Sequence, residues 1–250
     1  MARTSNRRLY ARVASGFTLV EIAIVMVIIS LVFAGGLAGF KGFRDSAIYS
    51  QTDNYLKESQ ISLLSFALSQ GYLPCPDTNN DGEQNTELLA SGDTCTASSG
   101  TLPWRALGLE PLPPWDVPVL YAINTQVAAA TCSGAAESVC FFENEQAPAF
   151  DLKTPPVAGS DGNGNLTITD SSGAVIAANV IAVIASAGKN AGQTAAGCAA
   201  ASADESENCD GDADFVMDST RTNEADFFDD QLIWIHANTL KGQMRDAGIL

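Results

Sequence analysis

The chain has 250 residues and a mass of 26.1 kDa, with 13 Lys and Arg against 29 Asp and Glu, for a formal net charge of −16. That length gives one soluble domain with a sizeable core after a single apolar segment is set aside. The acidity disfavours nucleic-acid binding by charge, since phosphates would be repelled. With one imidazole, His236, and no phosphate-loop or dinucleotide fingerprint, the sequence supplies no catalytic constellation, and no enzyme is expected.

Residues 1–16 carry Arg3, Arg7, Arg8 and Arg12 and no acid, a charge of +4. Residues 17–40 form a run of 24 in which Glu21 is the only charged residue. Such a run has the length of a membrane-spanning helix. A charge inside it costs about 2.5–3.5 kcal/mol on insertion scales, so Glu21 calls for a partner or a task. An ordinary secretory signal does not fit, because the run is too long and Glu21 falls where only apolar residues belong. Basic residues flanking a first membrane segment hold that side in the cytoplasm. Removing the leader takes four of the thirteen basic residues and leaves nine against 29 acids, a net charge of −20 for the part that must cross.

The string Gly16-Phe17-Thr18-Leu19-Val20-Glu21 resembles the processing site of type IV prepilins and of the pseudopilins of type II secretion. The resemblance implies that prepilin peptidase cuts after Gly16 and that the new terminal Phe17 is N-methylated. It also implies that Glu21 serves assembly, pairing with the terminal amine of a neighbouring subunit. Many family members carry Pro at the place of Ala38, and its absence leaves a straighter or Gly-hinged helix. The expected partners are the inner membrane, prepilin peptidase and other pilin or pseudopilin subunits. The expected location is a single pass through the inner membrane, N-terminus cytoplasmic and globular part periplasmic, followed by a pilus or pseudopilus.

No proline follows the apolar run until Pro74. Phe40, Phe43, Ala47, Leu56, Leu63, Leu64, Ala67 and Leu68 recur at helical spacing. One helix over 17–70 is predicted, apolar all round in its first half and amphipathic in its second, with Gly71 as its stop. Gly35, Gly36, Gly39 and Gly42 weaken it or allow close helix packing. Residues 72–100 read as loop. Pro114-Trp115 and the residues after it partly match the segment that opens the sheet in major pseudopilins, without its flanking Asp and Gly. Trp104 and Trp115 read as core packing.

Strands are predicted at 119–123, 139–142 and 166–169, the last led in by the turn-forming residues 161–165. The apolar, β-branched run 178–186 is predicted to be the central strand beneath the long helix. Its following turn, Ser186-Ala187-Gly188-Lys189-Asn190-Ala191-Gly192, resembles the Gly-rich turn of pseudopilins. Residues 204–230 hold eleven acids against Arg221 alone and read as a solvated loop. A last strand at 231–236 precedes a short helix capped by Asn238, with Leu240 and Met244 on one face.

Cys75, Cys95, Cys132, Cys140, Cys198 and Cys209 show no zinc-site spacing. In a translocated domain an even count reads as disulfides, and of the 15 possible pairings the nearest-neighbour set 75–95, 132–140 and 198–209 closes Gly-, Ser- or Asp-rich loops. Two oxygen-rich strings are candidates for Ca²⁺. Asp77, Asn79 and Asp81 with Gly82 have calcium-loop spacing, although the twelfth position is Leu88 and Glu87 comes one early. Asp210, Asp212 and Asp214 lie where the pseudopilin resemblance implies a calcium loop. Such strings also arise simply as turns.

The fold class expected is α+β and pilin-like: a long N-terminal transmembrane and assembly helix packed on an antiparallel sheet with disulfide-tied loops. Its parts are a leader at 1–16, the helix at 17–70 with 17–40 in the membrane, and a globular domain at 71–250. The function expected is a structural, minor subunit of a type IV pilus or type II pseudopilus. The alternative is a binding or adhesion module at a pilus tip on the same scaffold.

Overall fold

The computed structural model describes residues 16–89, 92–111, 115–123, 141, 150, 152, 166–191, 202–223 and 226–250, with side chains at 34–43, 87–89, 92–94 and 179 outside that description. The chain divides into two units, residues 1–47 and 48–250.

Helix α1, Leu19–Gln70, carries the boundary between the units. In the first unit its apolar residues stand exposed. In the second unit the helix is amphipathic as its spacing predicts: Leu56, Leu63, Leu64 and Ala67 are buried, while Glu58 and Ile61 face outward. It ends at Gly71, whose φ of 86° is the left-handed conformation that glycine adopts without penalty; its N–H closes on the Ala67 carbonyl at 2.8 Å.

The predicted loop over 72–100 contains three short strands. β1, Thr86–Leu89, and β2, Gly92–Cys95, form an antiparallel hairpin; β3, Ser99–Thr101, joins the main sheet. Cys75 and Cys95 are joined by a disulfide that ties the hairpin to the loop after α1. Cys209 is disulfide-bonded as well, whereas Cys132, Cys140 and Cys198 lie outside the described residues.

The main sheet is built on β6, Val175–Ser186, the longest strand described. β8, Gln231–His236, runs antiparallel along one edge of it. β4, Leu120–Ile123, and β5, Leu166–Thr169, lie end to end along the other edge, both antiparallel. β3 pairs with β4, and β7, Asp214–Val216, pairs with β5. The β5–β7 pair is parallel, which corrects the expectation of a purely antiparallel sheet. The long connection between those strands permits it, since a parallel partner needs a crossover rather than a hairpin. Three predicted strands coincide with β4, β5 and β8 to within a residue. The strand predicted at 139–142 and the turn at 161–165 fall outside the described residues, apart from Phe141.

Both faces of β6 are covered. Ile181 and Ile184 pack with Leu56, Leu63, Ala67, Tyr121, Ile123 and Ile235 beneath α1. Val180, Val183 and Ala185 pack on the opposite face with Leu166, Ile168, Phe215 and Leu232. A strand buried on both sides reads as an unbroken apolar run, which is why it is legible in sequence. Helix α3, Ala237–Asp246, buries Leu240 and Met244 as expected. Its N-cap is His236 rather than Asn238, because β8 runs directly into the helix and leaves no residue between them.

The Cys75–Cys95 link closes a separation of 20 residues. Replacing both cysteines by Ser should cost about 3 kcal/mol in the chain-entropy account, lowering Tm by roughly 6–12 °C for a chain of this size. Thermal melts of the double variant and the parent read this directly; an unchanged Tm would mean that the hairpin is held by its other contacts.

Candidate functional site

The processing string lies in the first unit. Gly16 and Phe17 precede α1 and are exposed. A Cβ built on Gly16 would meet nothing within 4 Å, so the fold itself does not require glycine there. Thr18 starts the helix: its Oγ1 accepts from the Glu21 N–H at 3.2 Å, and its carbonyl accepts from Glu21 and Ile22. Thr18-x-x-Glu21 therefore has the spacing of a helix-capping box, a local role for Thr18 that the sequence reading did not assign. Glu21 falls in the first turn, where a carboxylate is favoured by the helix dipole. Among the described residues no helix is long and apolar enough to cross a membrane; the side chains described in the apolar run end at Phe33.

The first calcium candidate is stitched to its own backbone. Asp77 is 1 % exposed. Its Oδ1 accepts from the N–H groups of Asn79 and Asn80 at 3.0 and 2.7 Å, and its Oδ2 from that of Gly82 at 2.7 Å. Asn79 Oδ1 accepts from Asp81 N–H, and Asp81 Oδ1 from Glu83 N–H. These are side-chain turns of the kind Asp and Asn favour. Gly82 has a reason of its own: a Cβ there would sit 2.5 Å from the Trp104 ring.

The second candidate changes membership. Asp210 and Asp212 come together with Glu207 rather than with Asp214, at an exposed or half-buried position. Asp210 and Asp212 each accept a backbone N–H two residues on.

A third group of carboxylates went unread in the sequence. Glu205, Asp229 and Asp230 are all buried, and one oxygen from each lies within 4.8 Å of the others. Residues 204–230, expected to be a solvated loop, are thus partly interior: Glu205 sits in the short helix α2, Ala203–Glu207, and Asp229 and Asp230 directly precede β8. The Ser202 hydroxyl caps α2 by accepting from Glu205 N–H. Neutral donors surround the acids. Asn190 Nδ2 donates to Glu205 Oε2 at 2.9 Å, and the Asp229 N–H to Glu205 Oε1 at 3.2 Å. Lys189 N–H and the Tyr49 hydroxyl donate to Asp229 Oδ2 at 2.9 and 3.0 Å. Asn208 Nδ2 donates to Asp230 Oδ2 at 2.8 Å while bracketing the Val216 backbone. Gly188, with φ 64°, lets the turn approach Asp229, since a Cβ there would lie 2.0 Å from its Oδ1. Arg221 does not join this group; it is held by Asp204, Asp218 and Asp226.

Burial pushes Asp230 up to about 8; the Asn208 hydrogen bond opposes the rise, and the charges of Glu205 and Asp229 add to it. Burial also raises Asp229, against the hydrogen bonds from Lys189 and Tyr49.

Residues 12–37 match the model of the prokaryotic N-terminal methylation motif. That motif defines the chain as a protein of the type IV prepilin and pseudopilin type, a precursor of the kind that prepilin peptidase processes. Pilin-type proteins carrying this motif are structural subunits rather than enzymes. Neither a search of curated proteins nor one of solved structures finds a match.

The raised Asp230 gives a signed pH dependence. The folded chain holds a proton that the unfolded chain, with Asp near its ordinary 3.8, releases. That contribution is complete below about 4, shrinks as pH rises, and is gone above about 8. In chelator-containing buffer the Tm of the full chain should therefore fall across this window. Asp230→Asn should flatten the curve; identical slopes in both proteins would mean that Asp230 is ionised throughout.

Proposed function

We propose that this chain is a structural subunit of a type IV pilus or type II secretion pseudopilus, and a minor rather than a bulk one. It is cut between Gly16 and Phe17, methylated at Phe17, and assembled through its N-terminal helix. The observation that carries the reading is the exposure of apolar side chains all round the start of α1. Phe17, Leu19, Val20, Ile24, Ile28 and Phe33 are each at least 54 % exposed. Burying such a side chain fully is worth about 1.5–3 kcal/mol, so a helix of this kind belongs in lipid or against other helices.

Residues 17–40 form the membrane-spanning part before assembly, and the +4 leader keeps the N-terminus cytoplasmic. The acidic globular part, residues 71–250, is then periplasmic. The unconstrained surroundings of Gly16 support a requirement imposed from outside the chain, by the peptidase that must accept the residue. Length, six cysteines and irregular acidic loops favour the minor role.

N-terminal sequencing of the mature protein should begin at N-methyl-Phe17, and Gly16 replaced by a bulky residue should leave the precursor uncut. A mature terminus after Ala34 or Ala38 would instead identify an ordinary signal peptide.

The second expectation concerns Glu21. In a filament core its carboxylate faces apolar helices and takes the amine of a neighbour's Phe17 as partner. Removing one member of a buried pair leaves the other charge uncompensated, at about 3–5 kcal/mol. Glu21→Ala should insert, be processed and form its disulfides, yet enter sheared filaments about tenfold less or worse. Filament yield compared with membrane-held subunit reads this; normal assembly by the variant would exclude the pairing.

A further inference from the structure

We infer that Glu205, Asp229, Asp230 and Asn190 form a binding site for one divalent, oxygen-seeking cation of the Ca²⁺ type, which fastens the acidic segment to the core. The three carboxylates come from two places 24 residues apart in sequence, α2 and the approach to β8, and converge on the turn after β6. Neither string with calcium-like spacing supplies a member.

The second observation is independent of the acids themselves. Asn190, 8 % exposed, donates its Nδ2 to Glu205, while the Oδ1 of the same carboxamide makes no hydrogen bond among the described residues. The amide group is small enough that this Oδ1 lies beside the carboxylate cluster. Asp229 Oδ1 and Asp230 Oδ1 are likewise buried without a hydrogen-bond donor. Three acceptor oxygens, all with nothing donating to them, surround one point of concentrated negative charge. Buried acceptors are rarely left so, and a cation satisfies several at once.

The donor chemistry selects the ion. Every ligand atom is a carboxylate or amide oxygen, with no thiolate or imidazole, which suits Ca²⁺ and not Zn²⁺. Carboxylates that bind through one or two oxygens, with the amide oxygen beside them, approach the six to eight contacts that Ca²⁺ takes. The bound ion would cross-link the turn at 188–190, α2, and the start of β8, and through Asp229 the Tyr49 hydroxyl of α1. It goes beyond the filament reading and does not rest on it.

The test uses the full chain in detergent, stripped with a chelator, with Ca²⁺ alone as probe. Titration calorimetry should find one Ca²⁺ per chain. Ca²⁺ at about 100 times its dissociation constant should raise Tm by roughly 5–10 °C. Asp230→Asn keeps the shape of the side chain and should weaken uptake at least tenfold; Asn190→Ala should weaken it too. Asp210→Asn with Asp212→Asn, at the exposed cluster, should leave uptake and the Tm shift unchanged. No uptake by the parent chain would overturn the site, as would uptake that survives both Asp230→Asn and Asn190→Ala, or uptake lost only in the Asp210 and Asp212 variant. If Asp230→Asn does not fold, Asn190→Ala decides alone. Filament yield is a separate readout, so a failed assembly experiment leaves this one intact.

Discussion

A twelve-residue strand buried on both faces has to be covered twice, and the covering of β6 sets the rest of the globular unit. Its β-branched residues leave no polar side for water, so each face needs its own apolar layer. On one face that layer is the second half of α1, whose Leu56, Leu63 and Ala67 recur every three to four residues and descend onto Ile181 and Ile184. The other face draws Phe215 from β7 and Leu232 from β8, pulling the acidic segment between them against the sheet. Gln60 fixes the helix further, donating to the Trp234 carbonyl of β8 at 2.6 Å.

That pull explains why acids end up inside. The stretch from Asp204 to Asp230 has to pass beneath the turn at Gly188 to deliver β8 to the edge of β6, and its ends are anchored by apolar neighbours such as Phe228. Glu205, Asp229 and Asp230 go under with it. Local charge elsewhere in the segment is managed differently. Arg221 gathers Asp204, Asp218 and Asp226 and lies over the Phe228 ring, so the one basic residue of the stretch neutralises acids that remain near the surface. Partly exposed pairs of this kind each contribute little, but a guanidinium that bridges three carboxylates also fixes the loop's path.

Elements with a strong period were legible from sequence. The helix over 17–70, the central strand, β4, β5, β8 and the closing helix all follow from apolar spacing, because burial of one face or two writes itself into the pattern. The methylation motif was legible for another reason: it is read by a partner, so its residues are fixed in order and not by the fold. What escaped is what depends on long-range pairing. The hairpin of Thr86–Leu89 with Gly92–Cys95 has neither β-branched alternation nor a typical two-residue turn, and the disulfide at its end does the fastening. The parallel pairing of β7 with β5 is invisible in a three-residue strand. Calcium-like spacing pointed at residues 77–82, yet a chain can reproduce that spacing to satisfy its own N–H groups, as Asp77 does. A signal for the buried triad existed in Phe227-Phe228-Asp229-Asp230-Gln231-Leu232: two acids set between apolar residues, next to a strand, have nowhere to go but inward.

Each unit therefore carries groups that its own residues leave unmatched, and the two kinds differ in what can match them. At the start of α1 the unmatched surface is apolar and extended over several turns, so only a lipid phase or a set of similar helices covers it. In the globular unit the unmatched atoms are three acceptor oxygens within a small buried volume, so a proton or a single cation is enough. Polar backbone N–H groups and amides already occupy the second oxygen of each acid, which rules out further relief from neutral donors of the same segment. Net charge sharpens the point. A mature part at −20 repels itself, and neutralising its most deeply buried acids removes the share of that repulsion that solvent screens least.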